Sequence, residues 1–208
     1  MRFGLSLFAG AALSALPVAA ALQPPKPLIR AELPDRAAQL ARTYGAICRN
    51  DDMGLAAMNS RAAAQGFTPQ PDRTRTSRRA FGKNMVVTEL LLLFPAGDPA
   101  KPALLSAMLT EERNESGQPI EWACELRLPA SGFAVPPAEA KAVFKIVRTI
   151  LARPDWQVET AKTPMGPMTG SSRNDEGFEE TYAGTMGSHL LGRRPMPGGG
   201  VVTIPRPQ

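Results

Sequence analysis

Apolar and polar positions alternate with a period of two along Ile120–Leu128 (IEWACELRL). Ile120, Trp122, Cys124, Leu126 and Leu128 fall on one side; Glu121, Ala123, Glu125 and Arg127 fall on the other. This spacing predicts a half-buried strand whose Trp122 and Cys124 face a core. Met85–Phe94 (MVVTELLLLF) is too short to span a membrane and opens on β-formers. Its four consecutive leucines suit a central strand covered on both faces, with a helix on one side. Leu104–Thr110 reads as a strand between these two, with Leu105, Ala107 and Leu109 on one face. The competing helical reading groups Leu104, Ala107 and Met108. Trp156–Ala161 alternates again, with Trp156, Val158 and Thr160 together.

Intervals of three and four predict helices elsewhere. Leu33, Ala37, Leu40, Ala41, Tyr44, Ile47 and Cys48 form one stripe of a helix starting near Pro34–Asp35 and ending near Cys48. Met53 to about Gln65 places Leu55, Met58 and Ala62 on one face, with Gly66 positioned to end it. Pro136–Pro137 opens a third helix reaching Leu151, and Pro154 stops it. Its apolar face holds Ala140, Val143, Phe144, Val147, Ile150 and Leu151; Lys141, Lys145 and Arg148 line the other side. The expected fold is a two-layer α+β domain. An antiparallel sheet of about four strands is covered by helices on one face, and the termini are extended and rich in Pro and Gly.

The ends of the chain alter this picture in one respect. Residues 1–21 (MRFGLSLFAGAALSALPVAAA) have a short basic start, an apolar run and a small-residue cleavage site, the layout of an export signal. The expected organisation is a signal over 1–21, a Pro-rich extended segment over 22–32, one domain over 33–191 and a Gly/Pro-rich tail over 192–208. No later stretch approaches transmembrane length, so the expected location is the periplasm or the medium. The formal charge of +5 falls to +4 on loss of Arg2, the only charge in the signal. That is a solubility-range value and not a nucleic-acid footprint.

Two cysteines remain, Cys48 at the end of a helical stripe and Cys124 in mid-strand. In an oxidising compartment they are expected to form one helix-to-sheet disulfide. No Cys-x-x-Cys motif is present. The single histidine, His189, sits in a Gly/Ser-rich stretch and reads as a surface residue. One histidine and two oxidised cysteines cannot build a zinc site. Asn50, Asp51 and Asp52 read as helix-capping residues before the second helix and not as a calcium loop. No G-x-S-x-G elbow or phosphate loop occurs, so no catalytic, metal or cofactor residue is assigned.

The acids leave a carboxylate-only chemistry open through Glu111–Glu112, Glu121/Glu125 or the cluster Asp175, Glu176, Glu179 and Glu180. Glu121 and Glu125, on the outward side of their strand, mark a surface site. So do Arg75, Arg78 and Arg79 in the basic stretch Thr68–Lys83, which reads as a solvated loop or as an anion or membrane-headgroup patch. Phe178–Tyr182 reads as a short strand or one helical turn. The leading expectation is a non-catalytic, exported, envelope-associated binding protein with an envelope ligand or protein as partner. A carboxylate-based hydrolase acting on an envelope polymer and a self-associating assembly protein are the alternatives.

Overall fold

The computed structural model describes residues 32–81, 84–95, 105–129, 135–160, 168–173, 177–185 and 187–195. The expected export signal and most of the Pro-rich segment lie outside these residues, as does the tail beyond Pro195. Three helices and nine strands alternate as α1 (Leu33–Cys48), α2 (Leu55–Ala64), β1 (Phe67–Pro69), β2 (Arg75–Phe81), β3 (Asn84–Pro95), β4 (Ser106–Arg113), β5 (Pro119–Pro129), α3 (Pro137–Ile150), β6 (Gln157–Thr160), β7 (Met168–Arg173), β8 (Phe178–Thr185) and β9 (Ser188–Pro195). The strands form one antiparallel sheet in the order β1-β3-β4-β5-β9-β8-β7-β6. β2 joins it by pairing with β3 on the edge that β3 also shares with β1.

The α+β class, the antiparallel sheet and the three helices match the sequence reading. The strand count does not: nine strands replace about four. Of the stretch Leu104–Thr110, Ser106–Thr110 is strand, because β4 lies between β3 and β5 and buries alternate residues against the helices; Leu104 lies outside the described residues. The basic stretch expected as a loop contains strand β2, which pairs residue for residue with β3 from Arg75↔Leu90 to Phe81↔Asn84. Of the strand expected over Trp156–Ala161, Gln157–Thr160 is a strand of the sheet and Ala161 lies outside the described residues, but Trp156 and Val158 do not share a side. β6 forms the far edge of the sheet beside β7, and Val158 is 39% exposed while Trp156 is fully buried. Gly192–Pro195, expected in the tail, belong to β9.

One face of the sheet is covered. α1 packs over β5 and β9, α2 over β4 and β1, and α3 over β7 and α1. Trp122, Cys124, Leu126 and Leu128 point into this layer with Leu109, Ala107, Leu191 and Tyr182, as the period of two in β5 requires. The disulfide Cys48–Cys124 ties the last residue of α1 to the middle of β5, with Cα atoms 5.6 Å apart. The other face carries no described helix. There Leu90 and Leu92 of β3 are only half-buried, so the four-leucine run is covered on one side and not both; Leu93 alone is fully buried. Among the described residues no helix is long and apolar enough to cross a membrane.

Candidate functional site

The covered layer holds two polar networks, and both rest on residues of β8 and β9. Glu180 of β8 points inward and is 1% exposed. Its Oε1 lies 3.0 Å from Arg49 Nε and accepts from the Tyr44 hydroxyl at 3.3 Å. Its Oε2 accepts from Arg153 Nε at 2.8 Å, with Arg153 Nη2 at 2.6 Å. Arg193, the cross-strand neighbour of Glu180, stands 3.9 Å from Oε1 and lies over the Phe178 ring at 4.2 Å. Three cations around one buried carboxylate would be in excess, but the same arginines also serve helix ends. Arg193 donates to Cys48 O, and Arg49 donates to Leu151 O, the carbonyls closing α1 and α3. The partial negative charge at two helix C-termini supplies the remaining balance. The cluster is therefore a staple joining α1, the segment after α3, β8 and β9. Burial and the neighbouring Glu180 carboxylate push the Tyr44 phenol well above its ordinary range, so Tyr44 stays a neutral donor.

The second network holds His189, which is fully buried and not a surface residue. In β9 it stands opposite Gly184, and inward alternation places it under α3. His189 Nε2 is 3.0 Å from Glu139 Oε1, in the first turn of α3, and Nδ1 is 2.8 Å from the Tyr182 hydroxyl. Burial lowers the His189 pKa, with the Glu139 carboxylate opposing the shift. The Tyr182 hydroxyl donates to Ala140 O at 3.2 Å and shares a 2.8 Å hydrogen bond with His189 Nδ1, whose direction is set by the imidazole tautomer. Burial, then the Glu139 carboxylate, raises the Tyr182 pKa, so the phenol holds its proton. A Glu–His–Tyr row buried on all three members holds α3 to the sheet.

Glu111 also points inward. It accepts the backbone N–H of Leu55, the first residue of α2, at 2.8 Å, and so caps that helix from across the layer. Asp52 and Asn50 make local bonds ahead of the same helix: Asp52 Oδ1 accepts from Gly54 N, and Asn50 Oδ1 from Asp52 N. Among the described residues no cluster of metal-ligating side chains occurs.

The surface residues singled out in the sequence divide into two groups on the outer sheet. Glu121 and Glu125 share the open face, opposite Trp122 and Cys124. A step of four residues along the strand sets their Cα atoms about 13 Å apart. Glu125 is engaged by Arg127 at 3.2 Å and borders a shallow hollow of about 240 Å³ over Gly192, together with Glu179, which pairs with Arg194 at 3.0 Å. Glu121 stands beside Glu112, which accepts from the Thr88 hydroxyl at 3.0 Å. Arg75 and Arg79 are on the open face of β2 beside Leu90 and Val86, and Arg78 is on its other face beside Val87. All three are exposed, as is Arg73 just before the strand, and none has a carboxylate partner among the described residues.

Sequence reasoning missed Glu180, Arg193, Glu139 and Tyr182 as a buried polar interior. The one available signal was the alternation Phe178, Glu180, Tyr182, Gly184, which carries a strand period with a charge and a glycine at inward positions. Comparison with family models, curated proteins and solved structures finds no match, so the reading of these sites rests on their geometry alone.

Proposed function

We propose that this is an exported, non-catalytic binding protein that docks on the anionic surface of an envelope membrane through the edge formed by β2 and the adjoining hairpin ends. The observation that carries this reading is the unpaired positive charge of Arg73, Arg75, Arg78 and Arg79. Other arginines of the sheet face carboxylates: Arg113 meets Glu111, Arg127 meets Glu125, Arg193 stands by Glu180, and Arg194 meets Glu179. The charge on β2 is thus a local excess in a chain whose overall charge is modest.

Two exposed apolar residues favour a membrane over a soluble polyanion. Met85 is 43% exposed and Ile120 is 48% exposed. Both lie at the end of the sheet where the β2–β3 and β4–β5 connections meet, and Met85 N donates to Glu115 Oε1 at 2.7 Å to join the two ends. Met85 and Ile120 lie on the Arg78 side of the sheet, so headgroup-binding charge and apolar side chains share that face, while Arg75 and Arg79 add charge from the other face of the same edge. The Cys48–Cys124 disulfide suits the oxidising compartment that export would reach.

The alternatives draw less support. Among the described residues the buried acids Glu111, Glu139 and Glu180 are each tied into a network that joins secondary structure, while Asp175 and Glu176 lie outside the described residues. Edge-to-edge self-association through β2 would set arginines against arginines, the arrangement that natural edge strands use to prevent pairing. At about 1 kcal/mol for each arginine near an anionic surface, four give about 4 kcal/mol, close to a thousandfold in partition. Co-sedimentation of the mature chain with vesicles tests this. Binding to vesicles containing phosphatidylglycerol, reversed by high salt and absent with pure phosphatidylcholine, is expected. Equal binding to both compositions, or to neither, refutes it.

A further inference from the structure

A second feature lies at the opposite edge of the sheet and is independent of β2. An open groove of about 520 Å³ runs between the outer face of α3 and β6. Its walls include Lys141, Lys145, Arg148, Phe144, Pro154 and Val158. The volume falls within the range of small-ligand clefts.

The charge of this groove is one-sided. Lys141, Lys145 and Arg148 follow one another at helical spacings of four and three, so they share one stripe. No acid borders the groove among its described lining residues. Lys141 and Lys145 are exposed and have no ion-pair partner among the described residues. Like charges four apart on a helix destabilise it, and exposed helices usually set Glu against Lys at that spacing. The only acid of α3 is Glu139, which is buried against His189. The helix dipole favours Arg148 in the last turn but not Lys141 near the start. Arg148 is fixed in place: Nε donates to Arg153 O at 3.0 Å and Nη2 donates to Pro154 O. Beneath this cationic rim the lining turns apolar, with Val158 39% exposed at β6 and Phe144 at the floor.

We propose that the groove binds a single-chain amphiphilic anion, a short acyl chain ending in a carboxylate or phosphate. Lys141, Lys145 and Arg148 hold the head group, and the chain lies along Phe144, Pro154 and Val158. The charge complementarity sets the sign of the head group, and the apolar lining sets the need for a chain.

Trp156 supplies a reporter, because its ring stacks on that of Phe144 with centroids 6.1 Å apart. The chain has two tryptophans, so a Trp122→Phe background leaves Trp156 alone. Decanoate and decyl phosphate, titrated below their critical micelle concentrations, are expected to bind saturably by equilibrium dialysis and to change Trp156 emission. The carboxylate and phosphate arms then rank the head groups. Lys141→Ala/Lys145→Ala, both at exposed positions, is expected to weaken binding about tenfold or more without lowering the unfolding midpoint. Arg75→Ser/Arg78→Ser/Arg79→Ser is expected to leave it intact, which separates this site from the β2 surface. Saturable binding of neutral octyl glucoside with equal affinity overturns the proposal. So does undiminished binding by the double lysine variant, or the absence of saturable dialysis binding for both anions.

Discussion

Glu180→Ala is the perturbation that most sharply tests the staple among α1, the segment after α3, β8 and β9. Glu180 is the shared acceptor for several donors, and their exposure decides the cost. Arg49 is 32% exposed, so it turns to water and keeps its bond to Leu151 O. Tyr44 retains Gly192 O as a second acceptor at 3.2 Å. Arg193 keeps the carbonyls of Cys48 and Asn50 and the Phe178 ring. Arg153 is 14% exposed, and Glu180 is the only partner of its guanidinium among the described residues. The variant therefore leaves at least one buried guanidinium uncompensated, a change that costs about 3–5 kcal/mol. Arg49→Ala removes one of several donors from a partly exposed position and should cost about 1 kcal/mol or less. Urea unfolding of the disulfide-intact mature chain, followed by Trp emission and far-UV circular dichroism, measures both. A Glu180→Ala loss below about 1 kcal/mol, or an Arg49→Ala loss as large as that of Glu180→Ala, would refute the assignment of Glu180 as the common anchor.

Three further outcomes follow from the covered layer. Burial lowers the His189 pKa below its ordinary 6.5, so the unfolded chain binds the additional proton first. Stability should then be fully present above about pH 6.5 and fall on acidification by up to about 1.4 kcal/mol per pH unit; His189→Asn should flatten that segment of a midpoint-versus-pH series. Replacing Cys48 and Cys124 by Ala opens a loop whose ends are 76 residues apart, and chain-entropy arithmetic puts the loss near 4.5 kcal/mol, measurable by denaturant titration of oxidised and variant chains. Gly184→Ala would set a Cβ 3.0 Å from the Cβ of Ala140, which is fixed to the α3 backbone, so a loss of about 1–3 kcal/mol is expected by thermal unfolding.

The legible parts of the sequence were those in which side-chain chemistry and burial agree. β5 alternates apolar and polar residues, and its inward set is the set the sheet buries. α1 and α3 show one apolar stripe each, and Cys48 and Cys124 lay on faces that meet. β2 was unreadable because both of its sides are polar: an edge strand that buries little needs no apolar period. β8 and β9 were hidden for the opposite reason. Their inward positions include Glu180, Gly184, His189 and Arg193, residues that read as surface or turn until a partner is known. Each becomes buriable only because Arg153, Tyr44, Glu139 and a helix end come from distant segments. The surface sites were half legible. Arg75, Arg78 and Arg79 could be named from charge alone, but their lack of carboxylate partners required the register of β2 against β3. The groove at α3 was visible only as a cationic helix face, since β6 and Pro154 complete it.

The central claim is that binding to an envelope membrane resides in the unpaired arginines of β2. The partition of the mature chain onto phosphatidylglycerol vesicles, compared with that of Arg75→Ser/Arg78→Ser/Arg79→Ser, tests it most directly. Three charges at about 1 kcal/mol each predict a fall of about a hundredfold in partition, with the unfolding midpoint unchanged. Equal partition of the two proteins would contradict the claim.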